Sequence, residues 1–122
     1  MLFDFDRFTI SVKLAYRRCY EPIYTLDEVL QVFRYYFGTY EYILGKAHPV
    51  INLRQIADII NKMPYVLDDA EQTLQPDIDP ACYEAMIDQH FNTVYNGGNC
   101  DYNINHFFSG RIRDMRYYET CY

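Results

Sequence analysis

The sequence predicts an all-α fold: a small, irregular bundle of four to five helices in a single domain over residues 1–122. Three observations predict it. Two segments open with paired capping residues, and apolar side chains recur at helical spacing along most of the chain. No second stretch alternates well enough to give a strand a partner. A chain of 122 residues can also build a core without metal or disulfide help.

Segment 5–19 admits two periods. Phe5, Phe8, Val12, Ala15, Tyr16 and Cys19 suit a helix, whereas Phe8, Ile10, Val12, Leu14 and Tyr16 alternate as a strand would. Thr9, Ile10 and Val12 are β-branched, which favours the strand. The helical stripe is longer, so a helix is expected. The clearest element follows. Thr25 and Glu28 have the spacing of a capping box, in which each side chain accepts a hydrogen bond from an otherwise orphan backbone N–H. Leu26, Val29, Leu30, Phe33, Phe37, Tyr40 and Leu44 continue at helical spacing to Gly45, a suitable stop. The pattern predicts a helix over 26–44, weakened by Gly38 in its interior.

Asn52 and Gln55 repeat the box, and the Leu53, Ile56, Ile60 stripe ends before Pro64, predicting a helix over 53–62. From 65 to 79 no period is sustained, and a long loop is expected. Asp79-Pro80 is a third start signal. Tyr83, Met86, Ile87, Phe91, Val94 and Tyr95 extend that helix over 80–95, to the Asn96-Gly97-Gly98-Asn99 turn. Ile104, Phe107, Phe108, Ile112, Met115 and Tyr118 predict a last helix over 104–119, with Ser109-Gly110 a candidate kink. Phe33 and Ile87 are expected in the core.

Charge is unevenly placed. Residues 63–110 contain no lysine or arginine and eight carboxylates: Asp68, Asp69, Glu71, Asp77, Asp79, Glu84, Asp88 and Asp101. The whole net charge of −6 lies there, since the rest of the chain is slightly positive. Such a block attracts basic surfaces and repels nucleic-acid phosphate. Tyrosine is the other bias. Fourteen tyrosines with no tryptophan suit the margin of a core or a contact surface, because the ring is apolar while its hydroxyl needs a partner. The N-terminus lacks the basic and apolar regions of a signal peptide, and no apolar run is long enough to span a membrane. Cys19, Cys82, Cys100 and Cys121 are therefore expected as free thiols and the cytoplasm as the compartment.

Catalytic and metal-binding motifs are sparse. Zinc needs closely paired Cys or His ligands, and the sole cluster is His90, Cys100 and His106, with no evident fourth ligand. Cys100 with His106 is the one nucleophile–base candidate, and Asp101 beside it would raise the thiol pKa. No catalytic residue, metal or cofactor is expected. The reading is a non-enzymatic protein-binding module with an acidic, tyrosine-bearing face made of Tyr65, Asp68, Asp69, Glu71, Asp77, Tyr83, Glu84 and Asp88. Its partner would be a basic protein surface, with no membrane, and a homodimer is left open. The sharper version is an inhibitor or decoy in the cleft of a nucleic-acid-binding protein or nuclease, the role played by small phage and mobile-element proteins of the anti-CRISPR type. The rival from another class is a helical DNA-binding regulator using Arg111, Arg113 and Arg116.

Overall fold

Local capping places the first three helices. The computed structural model describes residues 1–68, 73–75 and 78–121. Helix α1 spans Phe5–Arg17, capped by the Asp4 carboxylate on the Arg7 N–H. It buries Phe5, Phe8, Val12 and Ala15, so the helical period prevails over the strand alternation. Helix α2 spans Leu26–Leu44, with both halves of the Thr25–Glu28 box formed at 2.8 and 3.1 Å. It runs through Gly38 unbroken and stops at Gly45, which takes the left-handed conformation at φ 70°. Helix α3 spans Leu53–Lys62 behind the Asn52–Gln55 box.

The second half departs from expectation in three places. The stretch expected as a loop over 65–79 contains two antiparallel strands, β1 (Val66–Asp68) and β2 (Thr73–Gln75), with Leu67 opposite Leu74. Three-residue strands are too short to display a period of two. The helix expected over 80–95 begins as a 3-10 turn at Pro80–Cys82, continues as α4 (Tyr83–Phe91) and ends four residues early. There the chain turns so that the Thr93 carbonyl accepts from the Tyr102 hydroxyl and Tyr95 reaches back to His90. The helix expected over 104–119 is two: α5 (Ile104–Phe107) and α6 (Ile112–Thr120). Gly110, at φ 52°, turns the chain between them.

Helix α1 packs on α3 and α2, α2 on α4, and α4 on α6. One side of the core is a phenylalanine cluster, with Phe3 stacked on Phe37 at 4.4 Å and Phe8 edge-on to both Phe33 and Phe37. The other side gathers Tyr36, His48, His90, Phe91 and Phe107. Phe33 and Ile87 are both fully buried.

The tyrosines have a shared structural task. Hydroxyls of Tyr16, Tyr24, Tyr36, Tyr83, Tyr102 and Tyr118 donate to main-chain carbonyls of Tyr24, Ile78, Tyr102, Met63, Thr93 and Leu67. These carbonyls lie outside helix interiors, where no helical N–H reaches them. Tyrosine supplies bulk for the core and a donor for the irregular chain in one side chain. The N-terminal segment is held to α2 by a carboxylate: Glu41 accepts from the backbone N–H groups of Leu2 and Phe3, which lowers its pKa.

Candidate functional site

Helices α2 and α4 lie side by side and leave a surface trough between them. Two contiguous cavities of about 700 and 380 Å³ form it, sharing Gln31, Tyr35 and Glu84 in their walls. Glu28 and Asp79 stand at one end and Glu84 and Asp88 along the middle, while Tyr42 and Ile43 flank the far end. Gly38 lines the trough between Tyr35 and Tyr42, with the Met1 side chain against it. The apolar end is exposed: Tyr42 is 91% accessible and Met1 60%.

The carboxylates are held in different ways. Glu28 and Asp79 accept backbone N–H bonds at helix starts, where negative charge is favoured. Asp88 accepts from the Tyr35 hydroxyl at 2.7 Å, and partial burial with this carboxylate pushes the Tyr35 phenol up to about 12. Glu84 lies one turn before Asp88 on the exposed face of α4. The cation in the wall is Arg34, whose guanidinium sits over the Phe5 ring at 4.2 Å. Four carboxylates against one guanidinium make the trough electronegative, with an apolar end.

Of the residues expected on an acidic face, Glu84 and Asp88 are brought together here. Asp68 lies on β1, and Asp69, Glu71 and Asp77 fall outside the described residues. Tyr65 is half-buried, and its carbonyl accepts from Arg113. Tyr83 is not a surface anchor. It is 1% exposed, its hydroxyl lies between the Met63 carbonyl and Arg113, and burial pushes its pKa up to about 12. Tyr35, Gly38 and Tyr42 were missed. Their spacing at i, i+3 and i+7 on the outer face of α2 was the available signal.

The arginines expected to contact DNA do not form an exposed patch. Arg113 is 8% exposed and lies across the C-terminal end of α3, donating to carbonyls of Lys62 (2.9 Å) and Tyr65 and pairing with Asp114. Arg116 is buried as well, donating to the Tyr95 hydroxyl at 2.7 Å and pairing with Glu119. Backbone oxygens and the Tyr83 phenol take the donors of Arg113, whereas the buried Arg116 Nε has no hydrogen-bond partner. Arg111 is half-exposed beside them.

Cys100 and His106 do meet, with Sγ 3.1 Å from Nδ1, and the Tyr102 N–H points at the same sulfur at 3.2 Å. Burial nevertheless raises the Cys100 thiol pKa, which opposes nucleophile formation. His90 is sealed in the core. The Tyr95 hydroxyl accepts from Arg116 and lies 2.8 Å from His90 Nδ1, and the buried His90 Nε2 has no hydrogen-bond partner. Among the described residues, no three His, Cys, Asp or Glu side chains are arranged to hold a metal ion. Serine at Cys100 should change stability by less than about 1 kcal/mol, since its hydroxyl can keep the bonds to Tyr102 and His106. Thermal melts of Cys100→Ser with and without EDTA check this, and a large fall in melting temperature in either case would restore a role for the cluster.

Among the described residues, no helix is long and apolar enough to cross a membrane. Comparison with protein-family models, curated proteins and solved structures finds no match to this chain.

Proposed function

We propose that the protein is a non-enzymatic binding module of the cytoplasm that docks a basic protein surface in the α2–α4 trough. One observation carries the reading. Glu28, Asp79, Glu84 and Asp88 line a trough with Tyr35 and Tyr42, opposed by a single arginine whose guanidinium lies over Phe5. Lysine or arginine can pair with the carboxylates while an apolar side chain fills the Tyr42 end, the arrangement of an interface with an apolar anchor and a charged rim. A cationic nucleic-acid-binding protein or nuclease is a partner of suitable charge, and occupying its cleft would make this protein an inhibitor or decoy of the anti-CRISPR kind.

Reversing Glu84 and Asp88 to lysine should slow capture of a basic partner about tenfold or more at low salt, with helix content unchanged. Association rates of Glu84→Lys/Asp88→Lys with a nonalysine peptide, read by stopped flow beside circular dichroism, check this. Capture at the wild-type rate would remove the trough from the function.

A further inference from the structure

The chain carries a surface of the opposite character. The outer face of α1 presents Arg7, Ile10, Lys13, Leu14, Arg17 and Arg18, all exposed, at successive i, i+3 and i+4 steps. Ile10 is 63% and Leu14 41% accessible, so α1 has a second apolar stripe besides the one that builds the core. A two-sided helix of this kind is unusual for a surface element, whose outer face is ordinarily polar. Four cations flank this stripe, with Asp6 as the acidic residue near its start.

We infer that the trough of one copy receives the exposed face of α1 from a second copy. The inference rests on the trough being a seat for cationic segments, and it names the segment. Length agrees: Glu28 to Tyr42 on α2 spans about 21 Å and Arg7 to Arg18 about 17 Å at the helical rise. Charge order agrees as well. Arg17 and Arg18 face Glu28 and Asp79, Lys13 faces Glu84 and Asp88, and Ile10 lies toward Tyr42 and Ile43. The docked helix therefore runs antiparallel to α2, with its negative C-terminal dipole end beside the positive N-terminal ends of α2 and α4. Because α1 and the trough are different surfaces, the contact is heterologous. Repeated head to tail it extends as a chain, whereas reciprocal exchange of α1 faces between two copies duplicates it about a two-fold axis and closes as an isologous dimer. A partner that uses the trough must displace the second copy, so self-association and partner binding compete.

Sedimentation velocity of the full chain tests the inference. Wild type should self-associate at about 50 mM salt and dissociate at about 500 mM, where charge pairing is screened. Glu84→Lys/Asp88→Lys breaks the trough and Lys13→Glu/Arg17→Glu breaks the α1 face. Each alone should lose self-association by about tenfold or more. An equimolar mixture of the two should form a one-to-one complex, because each variant retains the surface the other lacks. A monomeric wild type at about 1 mM, or a mixture that does not associate, would overturn the inference. The nonalysine peptide separates the two readings. Trough-dependent peptide binding by a chain that stays monomeric removes the second copy alone, whereas loss of peptide binding too removes the trough itself.

Discussion

Replacing Arg113 with methionine should cost about 3–5 kcal/mol of folding stability. The apolar stem is retained, so the loss isolates the guanidinium. That group holds the Lys62 and Tyr65 carbonyls at the end of α3, the Tyr83 hydroxyl at 2.8 Å, and the Asp114 carboxylate at 3.1 Å. Without it, the Tyr65 carbonyl loses its donor, the Lys62 carbonyl is left with the Tyr65 N–H, and a buried aspartate loses its counterion, each costly away from water. Lysine should recover only part of the loss, because one ammonium cannot span several fixed acceptors as a planar fork does. Urea unfolding checks the result, and a fall in melting temperature of roughly 10–20 °C should accompany it. A variant within about 1 kcal/mol of wild type would show the network to be dispensable.

Mild acid should destabilise the fold before the carboxylates titrate. Burial, with smaller contributions from His106 and Arg116, lowers the His90 pKa from 6.5 to about 3. The unfolded chain therefore binds a proton below 6.5 that the folded chain refuses. The stability is fully present above 6.5 and drains away as the pH falls toward 3, at about 1.4 kcal/mol per unit. By pH 5 the loss from His90 is about 2 kcal/mol. His48 adds to it in the same direction. Burial lowers its pKa, and its Nε2 accepts the Ile104 N–H at the start of α5, a bond that protonation abolishes. Denaturant unfolding at pH 7.5 and 5 measures the difference. His90→Phe, which suits the surrounding aromatic rings, should remove the His90 share and leave the smaller dependence due to His48; equal stability of the wild type at both pH values would refute the assignment.

Helices α2 and α3 were legible to the residue because a capping box is complete within four positions, and nothing distant alters it. The early end of α4 was not, whereas the break between α5 and α6 falls at the Ser109-Gly110 pair expected as a kink. The end of α4 depends on where the Tyr95 and Tyr102 hydroxyls find partners, which only the packed chain decides. Tyr83 shares a helical stripe with Met86 and Ile87 and is buried with them, although its hydroxyl suggested a surface position. Arg113 and Arg116 misled for a related reason. Charge suggests solvent, yet the carbonyls that draw Arg113 inward belong to a helix about fifty positions earlier in the chain. Of the trough, the acidic wall on α4 was legible from Glu84 and Asp88. Its aromatic wall on α2 became evident only once the two helices were seen side by side.

The tie from Arg113 to the end of α3 also orders events during synthesis. Lys62 and Arg113 are 51 positions apart, so at about 5–20 residues per second the cap emerges roughly 3–10 s after the helix it closes. For that interval α3 lacks its guanidinium, and over the first 21 positions of it α3 also lacks the Tyr83 hydroxyl that donates to the Met63 carbonyl. The first three helices must then persist on their own capping boxes and phenylalanine cluster, or wait collapsed but unlatched until α6 arrives.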